Sequence, residues 1–179
     1  MDIIERNTVF STPWFDIIAK LTDEVGGGDP YYSLQLSDYV CVLAMTEKRE
    51  FLLVRQYRPS VEEYTLELPS GHLESGEMPE ETAKRELLEE TGYEAATVDF
   101  LGCLVPDTGR LSNRLWCYFA NNVRLTDPDF VLESGIELLV CSQSDLMQYI
   151  LEQRFNHALH VAPILLAILK RKVTGFGSI

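Results

Sequence analysis

The chain is short of positive charge. Among its 179 residues, 15 Lys+Arg stand against 28 Asp+Glu, a formal net charge of −13 at pH 7, and the sequence pI is near 4.6. Gripping a nucleic-acid backbone needs a clustered positive surface, so this balance excludes nucleic acid as a partner. Long apolar runs are missing too. The longest, 161–169, has nine residues, about half of what a membrane-spanning helix requires. Residues 1–7 carry Asp2 and Glu5 rather than a basic stretch followed by an apolar one, which predicts no secretory leader and a cytoplasmic protein. Cysteine is sparse: Cys41, Cys103, Cys117 and Cys141 form no CxxC pair, and each lies in or beside an apolar run. Reduced core thiols are expected, ahead of disulfides or zinc. No repeat or low-complexity tract occurs. With 46% hydrophobic and 24% charged residues, the composition is that of one folded domain, not a disordered chain.

Residues 7–20 read as a strand interrupted by Pro13, which suits an edge or a bulge. Gly26-Gly27-Gly28-Asp29-Pro30 reads as a turn, followed by a short strand at 31–36. Further strands are predicted at 39–45, 51–57, 64–68, 97–105, 114–123 and 136–141. At 79–91 the period changes to that of a helix, opened by Pro79 and stopped by Gly92. Two more helices are predicted near 145–153 and 157–171, the last containing Pro163, which should kink it or mark its real start. Strands outnumber helices and do not alternate regularly with them. That pattern predicts an α+β fold, a mixed sheet with helices on its faces.

The helix at 79–91 carries the chemistry. Ala83, Leu87 and Leu88 supply its apolar stripe. Glu86 and Glu90 lie four apart, about 40° around the axis, and Glu89 is nearby. Three carboxylates therefore converge on the last two turns. Like charges at this spacing repel, and the helix C-terminus is itself negative. A solvated surface can tolerate both penalties, and a Glu-rich solvated face is the plain alternative. A divalent cation would turn the cluster into an attraction, and all-oxygen ligands suit Mg²⁺ or Mn²⁺. Between 77 and 90 stand six carboxylates (Glu77, Glu80, Glu81, Glu86, Glu89 and Glu90), opposed by Lys84 and Arg85. Upstream runs a glycine-containing loop, 69–77, in which Glu77 can pair with Arg85.

The stretch GHLESGEMPEETAKRELLEETGY, residues 71–93, resembles the Nudix box. Gly71, Glu77, Arg85, Glu86, Leu87, Glu89, Glu90 and Gly92 fall on its pattern, and Tyr93 replaces the usual last aliphatic residue. Upstream, Arg55-Gln56-Tyr57-Arg58 and Glu67-Leu68-Pro69-Ser70-Gly71 resemble the RQYR…ELPAG run of the ADP-ribose and nucleotide-sugar pyrophosphatase branch. Residues 106–110 (PDTGR) resemble its downstream proline loop.

This resemblance implies a Nudix α/β/α sandwich over residues 38–179, preceded by an N-terminal β region at 1–37. It implies Mg²⁺-dependent hydrolysis (Mn²⁺ as a substitute) of a nucleoside diphosphate sugar, foremost ADP-ribose to AMP and a sugar phosphate. The alternatives are a pyrophosphatase for a GDP- or UDP-sugar and a non-catalytic nucleotide sensor. Glu86 and Glu90 would be the main metal ligands, with Glu89 either a further ligand or a water-organising base, and the Ser70 carbonyl would join them. Gly71, Glu77, Arg85 and Gly92 would be structural. Arg58 is the expected phosphate clamp, since guanidinium forms forked hydrogen bonds to phosphate; Arg110 is a second substrate contact. The branch often draws its general base from a later loop, here 127–137, where Glu133 is the first choice and Glu137 the second. Asn113 stands where relatives can carry an acid facing the terminal sugar. The branch is usually homodimeric, with the N-terminal strands reaching the neighbour's site. Trp14 is thus a candidate for base stacking, alongside core packing or dimer contact.

His157 and His160 form an HxxH with no third ligand nearby in sequence, so a helix-surface or interface role is expected for them. Gly26-Gly27-Gly28 lacks the Lys-Ser/Thr pair and following helix of a phosphate loop.

Overall fold

The segment expected to be one interrupted strand is a hairpin. In the computed structural model, which describes residues 2–23 and 28–175, strands β1 (Ile3–Ser11) and β2 (Asp16–Thr22) run antiparallel. Pro13 lies in the turn between them, not in a bulge. The reason is local: the Thr12 hydroxyl accepts the N–H groups of Trp14 (3.1 Å) and Phe15 (2.9 Å), and the Thr12 N–H donates to the Phe15 carbonyl at 3.0 Å. These bonds close the turn and satisfy its backbone. Strand β3 (Tyr31–Gln35) completes a separate three-stranded sheet. Of the turn expected at 26–30, residues 26 and 27 lie outside those described.

The second sheet is mixed and eight-stranded. Strands β4 (Tyr39–Thr46) and β10 (Leu115–Leu125) form its parallel pair, with residues 39–46 running beside 115–123. Around them pair β5 (Phe51–Arg58), β6 (Glu63–Glu67), β7 (Ser70–His72), β8 (Tyr93–Glu94), β9 (Asp99–Leu104) and β11 (Ile136–Cys141), all antiparallel to their neighbours. β7 and β8, three and two residues long, escaped the sequence pattern because so short a segment carries no period.

Alternation along β4 explains the layers. Val40, Val42 and Ala44 face one side, where they pack with Ala83 and Leu87 of helix α1 (Pro79–Thr91). Cys41, Leu43 and Met45 face the other, meeting Leu146 of α2 (Gln143–Leu151) and Ile164 and Ala167 of α3 (Ala158–Leu169). Successive strand side chains point to opposite faces, so a strand buried on both sides reads as one continuous apolar run. The result is a sheet between two helical layers, an α+β fold. Three cysteines are core thiols as expected, whereas Cys103 is exposed at the sheet edge. Leu88, counted in the apolar stripe, is only half-buried, and the buried position beside it is Glu90. Pro163 is buried inside α3 and does not mark its start.

The two sheets meet through Leu34. Its N–H donates to the Arg110 carbonyl (2.7 Å) and its carbonyl accepts the Ser112 N–H (3.0 Å). The Tyr31 hydroxyl adds a bond to the Gly109 carbonyl. Strand β1 is exposed at every position.

Candidate active site

Helix α1 presents its carboxylates toward the short strand β7, and backbone conformation makes this possible at both ends. Gly92 stops the helix with φ 75°, a left-handed geometry that costs glycine little. A Cβ at Gly71 would overlap the Glu86 carboxylate, so glycine there lets the loop lie directly against that side chain. Glu90 is 8% exposed and accepts the Ser70 N–H at 2.8 Å.

Arg85 organises the outer part of the cluster. Its Nε and Nη2 fork onto the two Glu77 oxygens (2.9 and 3.1 Å), and Nη1 bonds Glu86 (2.8 Å) and Glu89 (2.9 Å). The Arg85 fork holds the Glu77 carboxyl down at about 2. Burial pushes Glu86 up, with Arg85 opposing. Among the described residues no cation bonds Glu90, and the Arg58 charge acts on it only at a distance. Burial, with the neighbouring Glu86 charge, lifts it to about 8, against the opposing bond from Ser70.

Across a cavity of about 710 Å³ from Glu90 and Ser70 lies Arg58. Its Nε and Nη2 each reach Glu67 at 2.7 Å. Glu67 is 1% exposed and also accepts the Thr65 hydroxyl at 2.6 Å. Burial alone would raise its pKa; the Arg58 fork and Thr65 outweigh that and bring it to about 2. Behind Glu67 sit the two histidines set aside on sequence grounds. His160 is buried, not on the helix surface, because α3 packs this face onto the sheet. His157 and His160 stack with ring centres 4.0 Å apart. With Glu67 they bring three possible ligand atoms within 4.8 Å of one another, so the third group missing in sequence arrives through the fold. Glu67 stood in the 67–71 run without a role; what marks it is a carboxylate between Leu66 and Leu68 at an apolar strand end.

Other candidates lie further out. Glu133 is exposed in the 126–135 loop, which reaches the end of α1 through Phe130, the side chain packed against Gly92. Glu137 is exposed on β11 and pairs with Arg55 at 2.9 Å, on the wall of a second cavity of about 410 Å³. The two cavities share Glu63, Thr65 and Asn156. Arg110 is exposed, and its backbone ties the Asp107 loop to β3. Trp14 is 75% exposed on the β1–β2 turn, which rules out core packing. Asn113 is 2% exposed and donates to the Ser37 carbonyl at 3.1 Å, bracing the link into β4.

The NUDIX domain family model matches residues 36–136, more than half of the chain. The chain is 33% identical over 117 residues to a methanol dehydrogenase activator of Bacillus methanolicus, an alignment spanning 64% of this chain and 63% of that protein. It is 52% identical over 56 residues to an ADP-ribose pyrophosphatase of Bacillus subtilis, spanning 31% of this chain and 30% of that one. The matches thus span less than two thirds of these relatives. A crystal structure of an ADP compounds hydrolase superposes with a TM-score of 0.79 at 20% identity, covering 96% of this chain and 94% of that one, a likeness of fold.

Proposed function

The chain belongs to the Nudix family, and from that premise we propose that it hydrolyses the pyrophosphate bond of a nucleoside diphosphate sugar, ADP-ribose giving AMP and ribose 5-phosphate. One observation carries the reading. Glu90 is a buried carboxyl with a raised pKa and no cation in contact, beside Glu86 and the Ser70 backbone, facing a cavity that also holds an arginine. An all-oxygen donor set of this kind fits Mg²⁺, with Mn²⁺ as a substitute. Glu86 and Glu90 would hold the ion, joined by the Ser70 carbonyl and by Glu89, whose exposed carboxylate Arg85 steers at 2.9 Å. When bound, such an ion offsets diphosphate charge and lowers the pKa of attacking water.

The chain's own residues do the rest. Arg85 locks Glu77, and with it the loop from Gly71 to the helix, so that the carboxylates are placed before substrate arrives. Arg58 is the phosphate clamp. Glu67 orients its guanidinium from below while 41% of the side chain stays accessible. Glu133 is the base, in preference to Glu137, whose carboxylate is engaged by Arg55. The N-terminal sheet, whose strand β1 is exposed throughout, is the contact between two copies, and Trp14 at its tip, like Arg110, reaches the substrate side.

The test is a panel of ADP-ribose, GDP-sugars and UDP-sugars assayed with Mg²⁺, products being weighed after reaction in ¹⁸O water. AMP and ribose 5-phosphate from ADP-ribose are expected. Turnover confined to another sugar nucleotide would reassign the substrate, and nucleotide binding without turnover would make the domain a sensor. Glu133→Gln should lower kcat on the order of 100-fold; wild-type turnover would place the base elsewhere.

A further inference from the structure

The cluster of Glu67, His157 and His160 has the spacing of a cation site, but its lone pairs are largely committed. Both Glu67 oxygens accept from Arg58, and one of them also from Thr65. His160 Nδ1 accepts the backbone N–H of Leu68 at 3.1 Å. A guanidinium already bonded to the carboxylate would also repel a dication placed beside it. These bonds point to another purpose.

The backbone donors between β6 and β7 are few. Glu67 belongs to the β5–β6 ladder, and Pro69 has no N–H. Leu68 donates to His160, and Ser70 donates to Glu90. On the acceptor side, the Pro69 carbonyl takes the Val42 N–H at 2.9 Å. His160 therefore supplies one of two donor-side anchors for the segment that carries Glu67, the seat of Arg58, and Ser70. Leu68 is fully buried, so without His160 its N–H has no route to water. His160 suits the task. It is 4% exposed and stacked against His157, and burial lowers its pKa to about 3, which keeps the ring neutral and Nδ1 free to accept.

We propose that His160 is a positioning residue: by accepting the Leu68 N–H it fixes the dipeptide from which the Arg58 seat and the Ser70 carbonyl are presented, and so sets cation and phosphate affinity together. The kinetic arm of the test rests on the hydrolase reading; the binding arm does not.

The experiment compares wild type, His160→Leu and His160→Asn as full chains, by Mn²⁺ titration followed by electron paramagnetic resonance and by circular dichroism. The Leu variant should bind Mn²⁺ about five- to tenfold more weakly with its spectrum retained. The Asn variant, whose Oδ1 can stand where Nδ1 stood, should return to within about twofold of wild type. In turnover assays, KM for ADP-ribose and the half-saturating Mg²⁺ should rise together in the Leu variant, with kcat at saturation changing less. Wild-type Mn²⁺ affinity in the Leu variant, or an Asn variant as impaired as the Leu variant, overturns the proposal. If the Leu variant does not fold, His160→Gln takes its place, its longer amide missing the Leu68 N–H, and equal affinity in the Gln and Asn variants overturns it. Should wild type bind Mn²⁺ but cleave no sugar nucleotide, the hydrolase reading falls while the titration still decides the role of His160. Absence of Mn²⁺ binding in wild type overturns both.

Discussion

Two buried carboxylates face the same cavity and have opposite electrostatic fates. Glu67 and Glu90 are 1% and 8% exposed, yet one sits at about 2 and the other at about 8. Burial raises both. Glu67 receives a guanidinium fork and a hydroxyl in return, whereas Glu90 receives one backbone N–H and the neighbouring charge of Glu86. Burying an unpaired carboxylate is costly, and a fold keeps such an arrangement where something else completes it. The contrast separates a carboxylate that supports Arg58 from one that, on the proposed reading, receives a cation. It also explains why Arg58, pinned by one and aimed past it, does not neutralise the other.

The sharpest way to break this contrast is Glu90→Gln. The amide keeps the size and can still accept from Ser70, but it cannot supply anionic charge to a cation. Mg²⁺-dependent turnover should fall on the order of 100-fold or more, with unfolding temperature unchanged or raised, because an uncompensated acid has been removed. Full activity in this variant would overturn the metal assignment.

Next in size is Arg58→Lys, which leaves a positive charge near Glu67 but removes the fork. An ammonium meets phosphate as a point charge, so KM should rise about tenfold with a smaller change in kcat. Alanine would be a poorer probe, since Glu67 would then be a buried charge without its counter-ion and the fold itself would suffer. An unchanged KM would show that the guanidinium serves Glu67 and not the substrate.

The two halves of the contrast were not equally readable in the sequence. Glu86, Glu89 and Glu90 lie on one helix, and helical spacing alone brings them together. The capping of that helix by Pro79 and Gly92, and the fork between Glu77 and Arg85, were legible for the same reason. The other half is assembled from Arg58, Thr65, Glu67 and His160, with Leu68 and His160 separated by 92 positions. No local period reports such a pairing; it exists because β5 and β6 form a hairpin and α3 folds back over their sheet. HxxH was visible as a spacing, but which face of α3 is buried depends on packing against Cys41 and Leu43. The hairpin at Pro13 was misread because apolar alternation continues through a turn whose only signals are Thr12 and Pro13.

The smallest expected effect tests the contrast through stability, with cations removed by chelation. The ordinary value for glutamate is 4.5, which stands for the unfolded chain. Between about 4.5 and 8, folded Glu90 therefore holds a proton that the unfolded chain has released. Stability follows the difference in bound protons between the unfolded and folded states, so in this window it falls as pH rises. Glu67 behaves in the opposite sense: its contribution is present above 4.5 and is lost as pH falls through about 2. The two windows do not overlap, but His160, held near 3 in the fold against an ordinary 6.5, contributes a slope of the opposite sign up to about pH 6.5, so a thermal melt series in EDTA from pH 7 to pH 8 reports Glu90 free of Glu67 and of the histidine. The Tm should decline by a few degrees across the series, and Mg²⁺ should restore most of the loss at the alkaline end, where the carboxylate is free to bind it. The Glu90→Gln protein should lose both the decline and the rescue. A wild-type series that is flat in EDTA would mean that Glu90 is already satisfied in the free protein, and the contrast with Glu67 would vanish.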